Sequence, residues 1–110
     1  MVRKLEGTQK LMRIFIGEND KFDGKPLYKE IVGLCRGKGI SGATVIRGIY
    51  GYGRSSIIHS SRTLALSNDL PIIVEIIDTP EKIDEILPEI EKMVQHGLIT
   101  LELAHVIKYG

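Results

Sequence analysis

Leu70-Pro71-Ile72-Ile73-Val74-Glu75-Ile76-Ile77-Asp78-Thr79-Pro80-Glu81 joins a strand to a helix with no linker between them. Residues 70–78 are rich in β-branched side chains and bounded by turn formers, the pattern of a strand. Thr79-Pro80-Glu81 then supplies a capping hydroxyl, a proline where the first helical N–H needs no partner, and an acid at the positive end of the helix dipole. The strand also has an unusual cross-section. Ile72, Val74 and Ile76 point one way, while Ile73, Glu75 and Ile77 point the other, so both faces are largely apolar. A sheet with one solvated face alternates apolar with polar. This strand therefore expects cover on both sides.

Downstream, Ile83, Ile86, Leu87, Ile90, Met93 and Val94 make one apolar helical face that ends at His96-Gly97. Pro88 lies inside that pattern and predicts a kink or a split, because proline removes a helical hydrogen bond. Leu98 to Lys108 is the last strand. Upstream, Ala43 to Tyr50 reads as a second strand, Pro26 to Gly37 as a helix closed by Gly37 and Gly39, and Leu11 to Ile16 as the first strand. Residues 1–10 are polar and are expected to precede the fold; residues 17–24 are expected to be a polar loop. The order β, α, β, β, α, β in one 110-residue domain predicts an α+β, ferredoxin-like sandwich: a four-stranded antiparallel sheet with both helices on one face.

The other face needs a cover, and a further copy of the chain is the expected one. Leu101, Leu103 and Ile107 alternate with Ala104 and Val106, which extends the two-sided apolar pattern to the last strand. Arg13, Arg47, Glu75 and His105 fall at alternating positions compatible with the open face. A buried Arg–Glu pair there is expected to set register more than stability.

Composition narrows the function. A formal net charge of +1 leaves no broad basic surface for duplex nucleic acid or an anionic membrane. Cys35 is the single cysteine, so no internal disulfide forms. The N-terminal segment is charged and lacks an apolar core, and no apolar run has the length of a membrane span, so a cytoplasmic protein is expected. His59, His96 and His105 are scattered without metal-ligand spacing.

The richest segment is Arg47-Gly48-Ile49-Tyr50-Gly51-Tyr52-Gly53-Arg54-Ser55-Ser56. Glycines let backbone N–H groups approach a ligand, and arginines pair with phosphate. The plainer reading, a bend with surface arginines, has about equal weight on spacing alone. A Walker loop is absent: Gly37-Lys38-Gly39 ends a helix instead of opening one. The dinucleotide fingerprint lacks its third glycine and following helix. RNA-recognition sheets share this topology but carry aromatics on the third strand, which here is Ile- and Val-rich. Ser55, His59 and Asp69 offer the residue types of a hydrolytic triad without a nucleophile elbow. The expectation is a binding protein, not an enzyme, with no resident cofactor. A small ferredoxin-like phosphatase, with an arginine and Asn19 as the water-orienting amide, and a metal-binding trimer are the alternatives.

Gly42-Ala43-Thr44-Val45-Ile46-Arg47-Gly48-Ile49-Tyr50-Gly51-Tyr52-Gly53, Ser67-Asn68-Asp69-Leu70-Pro71-Ile72-Ile73-Val74-Glu75 and Gly97-Leu98-Ile99-Thr100 together resemble the uncharacterised PII-like family, related to PII signalling proteins. The resemblance implies a homotrimer with three sheets facing its centre and an adenine nucleotide in each cleft between subunits. It implies that Arg47, Gly48, Gly51, Gly53 and Arg54 form one wall at the loop base. Gly97, Leu98, Ile99 and Thr100 form the other, with backbone groups for adenine and the Thr100 hydroxyl for a polar contact. The loop tip, with Ser55, Ser56, His59 and Arg62, is implied to meet a target protein such as a transporter or an enzyme. PII proteins have a longer turn before the last strand, carrying a phosphate-gripping lysine. His96-Gly97-Leu98-Ile99-Thr100 has none, which favours AMP or ADP over ATP.

Overall fold

The structure is a computed structural model that describes residues 4–53, 58–60 and 69–110. In chain order the elements are β1 (Gly7–Gly17), β2 (Lys21–Phe22), β3 (Lys25–Pro26), α1 (Leu27–Gly37), β4 (Ala43–Arg47), β5 (Tyr50–Gly51), β6 (His59–Ser60), β7 (Pro71–Asp78), α2 (Pro80–Met93) and β8 (Leu98–Val106). The main sheet runs β4-β7-β1-β8, and each pairing is antiparallel. Both helices pack on one face of it. Leu27, Ile31 and Cys35 of α1 and Ile83, Ile86 and Ile90 of α2 are buried in one cluster with Met12, Ile14, Val74 and Ile76. This is the ferredoxin-like sandwich expected from the order of elements.

Local chemistry explains the helix ends. Thr79 Oγ1 accepts a hydrogen bond from the Lys82 backbone N–H at 3.3 Å and caps α2. Asp78, fully buried, accepts from the Thr79 N–H at 2.7 Å and the Ser41 N–H at 2.9 Å. At the end of α1, Gly39 takes a φ of +74° and the Ile40 N–H reaches back to the Cys35 carbonyl, a Schellman closure. The Lys82 ammonium donates to the Lys38 and Gly39 carbonyls and ties the two helices together.

Four expectations change. First, β1 starts at Gly7, and Leu5 is only 1% exposed, so the residues before Leu11 do not form an extension outside the fold. Second, residues 21–26 are not loop throughout. β2 and β3 form a small ribbon around Asp23-Gly24, both at positive φ, the backbone that a two-residue hairpin turn requires. Third, α2 does not split at Pro88 but continues as one helix from Pro80 to Met93. Proline costs one backbone bond, whereas Ile83, Ile86 and Ile90 anchor the turns on either side in the core. Fourth, the second strand leaves the main sheet after Arg47. The Gly48 N–H makes a last bond to the Pro71 carbonyl at 2.7 Å. Pro71 has no N–H with which to continue the ladder. The chain then turns away, and β5 pairs with β6.

The second sheet face carries Leu11, Arg13 and Phe15 opposite Ile77, Glu75 and Ile73. Arg13 Nε donates to Glu75 Oε2 at 2.7 Å, and Arg13 Nη1 donates to Glu102. Those bonds, Glu75 foremost, raise the Arg13 pKa above its usual value. The expected Arg–Glu pairing is thus present, but in the single chain it is partly exposed and not buried. Arg47 and His105 are not on this face: they lie opposite Ile72 and Thr8, which share the helix side.

Candidate functional site

An open cleft of about 760 Å3 lies where four chain segments meet. The end of β1 contributes Phe15, Ile16 and Gly17. The residues around the start of β7, Asp69 to Ile72, form the floor. Tyr52 and Gly53 enter from the loop base, and His96, Gly97 and Leu98 from the turn before β8. Asp20 completes the rim.

Close backbone approach makes these walls meet. A Cβ on Gly97 would stand 2.6 Å from the Phe15 carbonyl oxygen and 3.0 Å from Val94 Cγ1, so only glycine lets the turn press against β1. A Cβ on Gly17 would stand 2.8 Å from Asp69 Oδ1. Gly48 and Gly51 would each place a Cβ 3.3 Å from the Pro71 ring, so they seat the loop base behind a cleft residue without lining the cleft themselves.

The Glu18–Asp20 turn clasps both stems of the 48–69 segment. The Glu18 N–H donates to the Leu70 carbonyl and the Asn19 N–H to Asp69 Oδ1, each at 2.9 Å. The Glu18 carboxylate pairs with Arg47 Nη2 at 2.6 Å. Glu18 is 17% exposed and Arg47 59%, so the acid is the fixed partner and the guanidinium the reachable one.

Of the residues singled out in the sequence, Gly53, Gly97 and Leu98 line the cleft. Arg47 is held by Glu18 beside it. Ile99 packs against the helix-side core, and Thr100 lies opposite Arg13 on the open sheet face. His59 pairs with Gly51 through the backbone; its side chain, and Arg54, Ser55, Ser56 and Arg62, lie outside the described residues. Sequence reasoning passed over Asp20, Tyr52 and His96, and took Asp69 only as a possible triad acid. Tyr52 carried a signal, an aromatic side chain between Gly51 and Gly53. Asp20 and Asp69 carried none, because 49 positions separate them.

Electrostatically the cleft is acidic at its Asp20–Asp69 end, and no lysine or arginine lines it among the described residues. Cys35 is buried elsewhere, and burial pushes its thiol up to about 11, so it packs as a small apolar group. Among the described residues, no three His, Cys, Asp or Glu side chains gather as metal ligands, and no helix is long and apolar enough to cross a membrane.

Residues 9–106 match the model of DUF190, a family described as an uncharacterized ACR. A UPF0166 protein of Aquifex aeolicus is 46% identical over 99 residues, covering 90% of this chain and 93% of that one. The chain belongs to the DUF190 family. UPF0166 protein MJ1524 of Methanocaldococcus jannaschii is 39% identical over 100 residues, covering 90% and 92%. Among solved structures, the fold is similar to that of CPII, a nitrogen regulatory PII-like protein from Thiomonas intermedia K12 bound to ADP, AMP and bicarbonate. The TM-score is 0.59 at 18% identity, with 92% and 90% of the chains covered. A putative PII-like signaling protein from Thermus thermophilus gives 0.61 at 19% identity, with 94% and 91% covered. This DUF190 chain therefore has a PII-like fold, and the resemblance read from its sequence holds.

Proposed function

We propose that this DUF190 protein is a cytoplasmic PII-like regulator: a homotrimer that binds an adenine nucleotide in clefts between its copies and presents the 48–69 segment to a target protein. The observation that carries the reading is the cleft. It brings the loop base at Tyr52–Gly53 and the turn at Gly97–Leu98 to one cavity. These are parts of the two walls that the family resemblance implies. The apolar second sheet face around Phe15 and Ile73 supports assembly, because a partly exposed apolar face marks a surface that a further copy can bury. That CPII is bound to ADP and AMP supports the ligand class.

A monophosphate or diphosphate is the preferred ligand. The turn from His96 to Thr100 offers no lysine, and two carboxylates on the cleft lining oppose a larger negative charge. Binding shifts the loop only so far as the ligand favours one loop state over another. The loop, and not a reaction, is the output, and a transporter or an enzyme is the target class. Calorimetric titration with AMP, ADP and ATP tests this reading. The expected result is saturable binding, tighter for AMP or ADP than for ATP, with no turnover of acyl or aryl phosphates. No heat from any of the three at millimolar concentration would sink it.

A further inference from the structure

The polar groups of the cleft are arranged asymmetrically, and that asymmetry bears on how a ligand lies in it. Asp20 and Asp69 both line the cleft. Each has one oxygen committed to the protein. Asp20 Oδ2 accepts from the Gly17 N–H and Asp69 Oδ1 from the Asn19 N–H, both at 2.9 Å. Their other oxygens, Asp20 Oδ1 and Asp69 Oδ2, each lie 3.3 Å from the point where a Cβ on Gly17 would stand. The two carboxylates thus close over Gly17, where even a Cβ would collide with Asp69 Oδ1, and sit side by side at the cleft lining.

An ionised carboxylate only accepts hydrogen bonds. A phosphate against these two carboxylates would meet two like charges with no cation beside it among the described lining residues. A hydroxyl would gain a charge-assisted bond, stronger than a neutral one. Among the parts of an adenine nucleotide, the ribose presents two adjacent hydroxyls, a pair of donors for a pair of acceptors. The adenine amine is a poorer match, because ring nitrogens that only accept flank it on both sides. The flat base has an apolar lining available instead, from Phe15, Tyr52, Leu70, Pro71 and Leu98.

We infer that Asp20 and Asp69 receive the ribose hydroxyls and fix the orientation of the nucleotide, with its sugar in the cleft against the two carboxylates and its phosphate directed away from the Glu18–Asp20 turn. This rests on the nucleotide reading above and assigns a specificity role to two residues within it. The acids select for ribose over deoxyribose and set a limit on how many phosphates the cleft tolerates.

Calorimetry in the presence of EDTA tests the inference, using AMP, 2′-deoxy-AMP and 3′-deoxy-AMP against the wild-type protein and the isosteric variants Asp20→Asn and Asp69→Asn. The wild type is expected to bind at least one deoxy analogue about tenfold more weakly than AMP, the size of one lost hydrogen bond to a charged group. The variants are expected to narrow that gap. Equal binding of all three nucleotides by the wild type overturns the inference while leaving the nucleotide reading intact. So does an Asn variant that binds AMP more tightly with unchanged discrimination, since the acids would then only repel phosphate. If no nucleotide binds the wild type, the nucleotide reading fails and this assignment fails with it. The comparison of analogues on the wild type needs no variant to fold.

Discussion

The two faces of the sheet are built from nearly the same residue types and end in different states. On the helix side, Met12, Ile14 and Val74 are completely buried. On the opposite side, Phe15 and Ile73 sit directly across from one another and remain partly exposed, beside an Arg13–Glu75–Glu102 cluster. One face is finished within the chain. The other has an apolar surface and a charged centre that the described residues leave partly open. Under the proposed function, the first face belongs to the fold and the second to an assembly. The charges then have a role there: apolar contacts alone leave register loosely set, whereas a paired arginine and glutamate would fix it.

The comparison predicts unequal responses to substitution. Ile14→Ala, on the closed face, leaves a cavity among the buried side chains of β1, β7 and α2. It is expected to lower the unfolding free energy by about 2–5 kcal/mol in urea titration. A loss below about 1 kcal/mol would mean that this face is less tightly packed than its burial indicates. Glu75→Gln, on the open face, removes one of Arg13's two acidic partners while Glu102 remains. Both side chains of the Arg13–Glu75 pair are about a third exposed. The expected cost to the unassembled chain is therefore small, close to the error of a urea titration. A loss of several kcal/mol would show that the cluster is a stability element after all.

How much of this was legible follows from the range over which each feature is determined. The alternation in Ile72–Ile77 and the Thr79-Pro80-Glu81 start of α2 are local, so they were readable and the topology followed from them. Asp23-Gly24 was equally local, a two-residue turn signal whose flanking strands are too short for periodicity to show. Gln9 and Leu5 were not legible as part of the fold, because a polar stretch looks like a tail until its pairing with β8 is known. Pro88 was read by its local cost alone, and the buried face of α2 outweighs that cost. The cleft was half legible. Its glycines stand out in the chain, and Gly97 proves necessary for the wall it forms. The grip of Glu18 on Arg47 and the convergence of Asp20 and Asp69 arise from contacts across 29 and 49 positions, which no local pattern records.

The central claim is that the open face makes the cleft whole: copies assemble through it, and the nucleotide binds between them. Ile73→Glu tests this most directly, because Ile73 lies on that face and does not line the cleft. The measurement is an AMP titration of this variant beside the wild type, at concentrations where sedimentation shows the wild type assembled. The account predicts one AMP per chain for the wild type, and a variant that keeps its circular dichroism but sediments as a single chain and does not bind. A single-chain variant that binds AMP as well as the wild type would contradict it, because the cleft would then be complete without a second copy.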